Sequence, residues 1–182
     1  MLYTKKGDKG DTGIFGCDQR FSKSSAIAEA LGCLDELNSF LGFCKLESGK
    51  KSISVGEASY KEIINNVQQN LFIVQAEVAG ANKKVTDSQI KELEKVTDQI
   101  EKELPPIHSF FVSGGVELST LLDFARTIAR RTERRVVEAK EEGMEQIGDE
   151  TLAYLNRLSS LLYAMARLTN HKFNVKEESP HY

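Results

Sequence analysis

The sequence predicts an all-α protein, a single domain of five helices packed as an up-and-down bundle. Its apolar residues recur mostly at three- and four-residue steps, which is the period of a helix rather than of a strand. Only three prolines occur in the 182 residues. That length is close to the ~150 residues typical of one domain, so we treat residues 1–182 as one unit. Five helices joined by mostly short connections favour a bundle.

The composition limits the classes of function. Hydrophobic residues make up 40% of the chain, enough for a proper core. Lys and Arg (24) nearly balance Asp and Glu (27), so a general nucleic-acid binder is disfavoured and any polyanion site must be local. Three cysteines without a Cys-x-x-Cys pair predict neither a disulfide framework nor a thiolate zinc site. No apolar run is long enough for a bilayer, and a reducing cytoplasm fits best.

Residues 1–24 are predicted to form a glycine-rich loop. Gly7, Gly10, Gly13 and Gly16 stand at every third position among Lys, Asp and Thr, a density that opposes a helix. The segment offers the backbone N–H groups, hydroxyls and ammonium groups that a polyphosphate cradle requires. It lacks a Walker signature, so the residues alone favour a flexible N-terminal tail over such a cradle.

Three helices are predicted in the first part of the bundle, which spans residues 25–170. The first covers about 25–48, where apolar residues trace one stripe, and the second, with the clearest amphipathic pattern, covers about 57–80. Thr86 with Gln89 three residues later resembles a capping box at the start of the third. Pro105 ends that third helix.

Two more helices complete the predicted bundle. The fourth follows Gly115 and ends at about Glu142. Asp149 is expected to cap the fifth, which ends near Asn170. We expect the remaining residues, 171–182, to form a mobile, acidic tail.

The fourth helix carries a row of arginines. Arg126, Arg130 and Arg134 follow one another at i, i+4 steps on one face, where like charges repel unless an anion or carboxylates neutralise them. A solvated basic face is the ordinary interpretation of such a run. Ile128 and Ala129 lie between these arginines, however, so the basic face adjoins the apolar stripe. This placement favours a phosphate site at a seam between helices or subunits.

Other polar and aromatic residues are candidates on weaker grounds. Asp35 and Asn38 on the first helix, and Asn156 on the fifth, lie in or beside apolar stripes, where a polar residue is usually just hydrogen-bonded. Asp35 would be a natural partner for an arginine of the fourth helix. Phe110 and Phe111 would normally be core residues, although an apolar ligand could use them. The three histidines show no metal-ligand spacing.

Five ordered blocks of sequence resemble the PduO-type ATP:cob(I)alamin adenosyltransferase family over residues 3–168. The blocks are Tyr-Thr-Lys-Lys-Gly-Asp-Lys-Gly-Asp-Thr at 3–12, Gly-Cys-Leu-Asp-Glu-Leu-Asn-Ser at 32–39, Phe-Phe-Val-Ser-Gly-Gly at 110–115, Ala-Arg-Thr-Ile-Ala-Arg-Arg-Thr-Glu-Arg-Arg at 125–135 and Tyr-Leu-Asn-Arg-Leu-Ser at 154–159. The resemblance implies a ferritin-like five-helix bundle, assembled as a homotrimer with ATP and the corrinoid meeting at each subunit seam. It also implies a transferase that moves the 5′-deoxyadenosyl group of ATP to the cobalt of cob(I)alamin and releases triphosphate.

The resemblance also implies roles for individual residues. The positions that match the family's ATP site, with their flanking loop, are Thr4, Lys5, Lys6, Gly7, Asp8, Lys9, Gly10, Thr12, Lys23, Arg130, Arg131, Glu133, Arg134 and Asn156. Arg130 is implied to be catalytic, with Asp35 and Arg126 as an intersubunit salt bridge. Phe110 matches the aromatic residue on the lower face of the corrin, and Mg²⁺ is expected to be bound through ATP.

Three positions depart from the family pattern: Ser113 replaces a frequent proline, Asp123 a frequent histidine and Ser160 a frequent aspartate. A flavoprotein reductase and an adenosylcobalamin-dependent mutase are the implied partners, with no nucleic acid or membrane. Two rival functions use the same features. One is an ATP-binding sensor or chaperone for the finished coenzyme, and the other is a structural or RNA-contacting bundle whose arginine helix binds phosphates nonspecifically.

Overall fold

The computed structural model describes residues 3–14 and 19–182, and in this part of the chain five helices form a bundle. Its elements, in chain order, are β1 (Asp11–Gly13), β2 (Arg20–Ser22), α1 (Ala26–Ser48), β3 (Ser54–Val55), β4 (Ala58–Ser59), α2 (Tyr60–Val78), α3 (Asp87–Glu101), α4 (Glu117–Glu141) and α5 (Asp149–Lys172). Helix α1 packs between α2 and α4, and α5 packs between α4 and α3. The predicted all-α bundle is confirmed.

The apolar stripes found in the sequence form the core. Leu34, Leu37 and Leu41 of α1 and Leu155 and Leu158 of α5 are fully buried. Burying one such side chain contributes about 1.5–3 kcal/mol. The stripes face one another because each repeats at the helical period, so the bundle follows from their spacing.

Polar contacts also link the helices inside the bundle. Thr132 Oγ1 on α4 donates to the backbone oxygen of Cys33 on α1 at 3.1 Å. The Tyr60 hydroxyl on α2 donates to the Met165 carbonyl on α5 at 3.0 Å. Burial raises the pKa of the Tyr60 hydroxyl, so this group stays a neutral donor.

The capping box predicted for α3 is confirmed. The Thr86 backbone N–H donates to Gln89 Oε1 at 2.7 Å, as expected for the box that these two residues form. Helix α2 begins with a second box, formed by Ser59 and Glu62. Both boxes satisfy backbone donors that a helix start leaves without partners.

The prediction that Asp149 caps α5 is wrong. Gly148 occupies the N-cap position, and its N–H donates to Glu77 Oε1 of α2 at 2.7 Å. Glu77 Oε2 accepts from Thr151 Oγ1, also at 2.7 Å. A buried carboxylate from another helix therefore serves as the cap, while Asp149 forms a surface ion pair with Lys140.

The N-terminal segment is a hairpin rather than the predicted loop. Strands β1 and β2 pair antiparallel, with Thr12 opposite Phe21. Arg20 on β2 donates two hydrogen bonds to the carboxylate of Asp11 on β1, of 2.9 and 2.7 Å. This guanidinium lowers the pKa of the Asp11 carboxyl. Glycine spacing alone does not show this cross-strand pairing. Gly16 and Cys17, two residues of the predicted glycine-rich loop, lie outside the described residues.

Two connections also differ from expectation. The segment between α1 and α2 holds the short β3–β4 hairpin, so α2 begins at Tyr60. Helix α5 continues to Lys172. The C-terminal tail (residues 173–182) is hydrogen-bonded to the segment before α4 instead of being detached, since the Val112 N–H donates to the Glu178 carbonyl at 2.8 Å.

None of the described helices combines the length and apolar character that a membrane crossing requires.

Candidate functional site

Two adjoining cavities lie along one side of α4 and α5. The large cavity, of about 900 Å³, lies between these helices, residues 107–115 and residues 175–178 of the tail. The small cavity, of about 270 Å³, is lined by Arg130, Glu133, Arg134, Val137 and Asn156. Arg130 lines both cavities, so one guanidinium lies at the boundary between them.

The small cavity brings together four of the residues predicted to bind ATP. Asn156 Nδ2 on α5 donates to Glu133 Oε1 on α4 at 2.9 Å, and Asn156 Oδ1 accepts from Arg157 Nη1 at 2.9 Å. Arg134 Nη1 donates to the Arg130 carbonyl at 3.1 Å. Among the described residues, Arg130 donates no side-chain hydrogen bond and forms no ion pair, so its charge is available to an anion.

Arg131 faces a different neighbour. Its guanidinium forms an ion pair with Glu36 on α1, and the hydrogen bond to that carboxylate raises the pKa of Arg131. Arg135 likewise pairs with Glu138 at 2.6 Å. These four arginines of α4 therefore fall into two groups. Arg130 and Arg134 line the small cavity, whereas Arg131 and Arg135 are neutralised by carboxylates.

The spacing argument that paired Asp35 with an arginine of α4 does not hold within one chain. Asp35 is exposed on α1, and the next residue, Glu36, supplies the partner for Arg131. Arg126 Nε instead donates to Asp123 Oδ1 at 2.6 Å. The family's intersubunit pairing of Asp35 with Arg126 involves a second chain and stays a prediction.

Arg126 lies in the wall of the large cavity. Besides its ion pair with Asp123, its guanidinium carbon lies 5.8 Å from the centre of the Tyr163 ring, within cation–π range. All three residues line the cavity. Ser113, Asp123 and Ser160, the three departures from the family pattern, all lie in this same wall.

Phe110 is presented on the surface beside the large cavity. Its side chain is 81% exposed, so it is not a core residue. The chain that follows turns through Gly114 and Gly115, whose φ values of +136° and +120° favour glycine. A Cβ on Gly115 would lie 2.1 Å from Asn170 Oδ1, so a side chain there would clash. The turn is thus built for close contact with α5.

Asn170 holds this turn and was missed as a functional residue by sequence reasoning. Its Nδ2 donates to the Gly114 carbonyl at 2.8 Å, and its Oδ1 accepts from the Val116 N–H at 3.3 Å. The sequence pattern predicted only that a helix ends near Asn170, and it did not predict this contact with the glycine turn. The adjacent Gly114 and Gly115 were the available signal, since paired glycines indicate a close backbone approach.

The N-terminal hairpin carries the remaining predicted ATP-binding residues. Lys23 Nζ donates to the Gly7 carbonyl at 2.9 Å, and the Gly10 N–H donates to the same oxygen at 3.2 Å. Lys5 has a positive φ of 59°. On the same exposed segment lie Thr4, Lys6, Asp8, Lys9 and Thr12. In the described part of one chain, the hairpin lysines make no hydrogen bond or ion pair with α4.

The described residues form no cluster of metal ligands. Within 3–14 and 19–182, no three or more His, Cys, Asp and Glu side chains are grouped so that they could hold a metal ion. Glu133, the carboxylate of the small cavity, is engaged by Asn156. The small cavity is thus suited to an anion rather than to a bare cation.

The fold and these cavities define a helical-bundle protein in which an arginine-lined cleft adjoins a larger, partly apolar cavity. The chain belongs to the cobalamin adenosyltransferase family, whose model matches residues 2–169. It is 36% identical to the corrinoid adenosyltransferase PduO of Salmonella typhimurium, over 97% of this chain and 53% of that protein. The chain thus spans about half the length of this relative.

Two further comparisons cover more of the related chain. The corrinoid adenosyltransferase of Bacillus subtilis is 36% identical over 96% of this chain and 89% of its own length. A variant of the PduO-type ATP:corrinoid adenosyltransferase from Lactobacillus reuteri, solved in complex with cobalamin and ATP, is 31% identical with a TM-score of 0.87, and the match covers 100% of both chains. The family resemblance seen in the sequence is confirmed.

Proposed function

We propose that this protein is an ATP:corrinoid adenosyltransferase, which transfers the 5′-deoxyadenosyl group of ATP to the cobalt of cob(I)alamin. The observation that supports this most directly is the position of Arg130 between the two cavities. A substrate that places its triphosphate in the small cavity would bring its sugar toward the large one. Family membership supports the same arrangement.

The proposed reaction needs charge stabilisation and no general base. The electron pair of cobalt(I) forms a bond to the ribose 5′ carbon, while the bond from that carbon to the triphosphate oxygen breaks. The leaving triphosphate takes the electron pair, so negative charge grows on it. Arg130 and Arg134 would stabilise this charge through preorganised hydrogen-bond donors. Lys5, Lys9 and Lys23 of the hairpin would add cations.

Phe110 has a separate role in the proposal. Its exposed ring would occupy the lower face of the corrin and exclude the lower axial ligand. Removal of that ligand disfavours cobalt(II) relative to cobalt(I), which eases the reduction that must precede transfer. The corrinoid carries the difficult chemistry, and the protein controls its ligation and its distance from ATP. Because Ser113, Asp123 and Ser160 line the same cavity, they would adjust which corrinoid is preferred.

A homotrimer would bring the hairpin of one subunit to α4 of the next. An exposed apolar patch on α1 and α4 supports such a contact, with Phe43, Leu46 and Phe124 all more than half exposed. Phe40 joins this patch, its ring 5.0 Å from that of Phe124. Patches of this kind mark interaction sites. Asp35, exposed on α1, would then reach Arg126 of a neighbouring subunit.

The cofactor and partners follow from the proposed reaction. Mg²⁺ would be held mainly by the triphosphate, with the protein contributing the surrounding donors. A flavoprotein reductase would supply the electron, and an adenosylcobalamin-dependent mutase would receive the product. The cytoplasm is the expected location, since Cys33 and Cys44 are free thiols.

Anaerobic turnover tests the proposal. The protein is mixed with Mg-ATP and chemically reduced cobalamin without oxygen, and both the corrinoid spectrum and triphosphate are followed. We expect one triphosphate for each adenosylated corrinoid. Absence of product at saturating substrates would overturn the enzyme assignment and leave a sensor or chaperone. Binding that falls steeply with salt and extends to any polyanion would instead favour the nonspecific phosphate binder.

A further inference from the structure

Arg167 on α5 forms the most buried ion pair of the large cavity wall. The residue is 7% exposed, and its Nε and Nη2 donate to the two carboxylate oxygens of Glu177 at 2.6 and 2.8 Å. Two parallel bonds between a guanidinium and a carboxylate give a strong contact of defined geometry. Loss of one partner would leave a buried charge uncompensated. The pair therefore ties the C-terminal tail to α5.

The same guanidinium also holds the opposite wall of the cavity. Arg167 Nη2 donates to the Pro105 carbonyl at 3.3 Å. Its carbon lies 5.1 Å from the centre of the Phe111 ring, a cation–π contact. Phe111 is the neighbour of Phe110 in the chain. One side chain thus contacts the chain on both sides of Phe110, at Pro105 before it and at Phe111 after it.

The tail and the segment of residues 105–113 are joined directly as well. The Val112 N–H donates to the Glu178 carbonyl at 2.8 Å, and the Ser109 and Ser179 hydroxyls lie 2.8 Å apart. These neutral contacts are individually weak. The charged and more deeply buried bonds of Arg167 are the stronger anchor. Segment and tail thus form one connected wall.

We propose that Arg167 and Glu177 are positioning residues of the corrinoid site, which fix the wall that presents Phe110. This inference rests on the proposed function, because it assigns the large cavity to the corrinoid. The two side chains act through the 105–113 segment and need not touch the cobalt. Removing either charge would loosen the segment, so Phe110 would no longer meet the corrin face in one defined position.

Charge removal at matched positions tests this inference. Glu177→Gln and Arg167→Gln each remove one charge of the pair, whereas the control Asp149→Asn removes the carboxylate of the surface ion pair with Lys140 and lines neither cavity. We expect both pair variants to raise the KM for cob(I)alamin about tenfold or more, as loss of one partner of a buried pair does at a binding site. The KM for ATP should stay within about twofold, since the small cavity is untouched.

Three further measurements separate positioning from general stability. The double variant should be no worse than Arg167→Gln alone, because Arg167→Gln already removes the ion pair with Glu177. The absorption spectrum of bound cob(II)alamin should show a smaller fraction with the lower ligand detached. Hydrogen exchange at the Val112 amide should be faster in Glu177→Gln than in Asp149→Asn.

Several results would overturn the inference. One is an unchanged corrinoid KM in both pair variants; another is an equal rise in the KM for ATP, which would indicate a general loss of structure. Failure of the proposed function is distinguishable, since the wild-type protein would then form no adenosylated product. Even in that case, unchanged Val112 exchange in Glu177→Gln would show that the pair does not hold the segment.

Discussion

Replacement of Arg130 by alanine is the sharpest test of the proposed site. The Arg130 charge is not neutralised within the described chain and borders both cavities, so its loss affects the ligand more than the packing. Two unit charges 4 Å apart interact by about 4 kcal/mol at an effective dielectric constant of about 20. About one unit of charge develops on the leaving triphosphate, and Arg134 and water share its stabilisation. We therefore expect kcat to fall about 10²–10³-fold, or ~2.7–4 kcal/mol, as for other lost transition-state donors.

Fold stability should hardly change in this variant. Substitutions at surface positions are usually within about 0.5 kcal/mol, and alanine is a good helix former. Arg135→Ala is the matched control, because Arg135 lies on the same helix but pairs with Glu138 and lines neither cavity. The assay is anaerobic turnover with excess Mg-ATP and cob(I)alamin, alongside thermal unfolding. Turnover by Arg130→Ala equal to that of Arg135→Ala would refute the reasoning.

Three more outcomes follow from the structure. Phe110→Ala should leave the free energy of unfolding unchanged, since the ring is 81% exposed. It should lower adenosylation that starts from cob(II)alamin and a weak reductant far more than adenosylation that starts from cob(I)alamin. Equal losses from both starting states would contradict the role of Phe110. Asp35→Asn should reduce the trimer fraction in sedimentation or weaken ATP binding, and wild-type assembly and kinetics would rule out the intersubunit salt bridge. Glu77→Gln should lower the free energy of unfolding by roughly 3 kcal/mol, because its buried carboxylate accepts charge-assisted hydrogen bonds from Gly148 and Thr151. For a domain of this size that loss lowers the Tm by about 6–12 °C, and a shift below about 2 °C in thermal unfolding would count against the cap.

Sequence reasoning predicted the helices and the shared face of Arg130 and Arg134 because both depend on local spacing. Arginines at i, i+4 steps share a face whatever else the helix contacts, so the placement of Arg130 and Arg134 could be predicted. The cap of α5 could not, because Glu77 and Gly148 are far apart in the chain and only bundle packing brings them together. A signal existed: Glu77 interrupts the buried stripe between Val74 and Val78.

The Asp35 pairing shows a second limit. Spacing placed a carboxylate of α1 near the arginines of α4, and one is there, but it belongs to Glu36. Adjacent residues on a helix point about 100° apart, so the rotation of α1 about its own axis decides which of the two meets the partner. That rotation is set by packing against several helices at once, and no single stripe specifies it.

The sequence by itself determined the five helices, the basic face of α4 and the family, because periodicity and ordered motifs are properties of the chain alone. Tertiary structure decided which arginines remain unpaired and that Phe110 is exposed beside a cavity. It also decided that Arg167 bonds both to Glu177 of the tail and to the segment of residues 105–113. Those features depend on distances between residues remote in sequence. Such distances arise only when the helices pack and each buried charge finds the partner that packing leaves within reach.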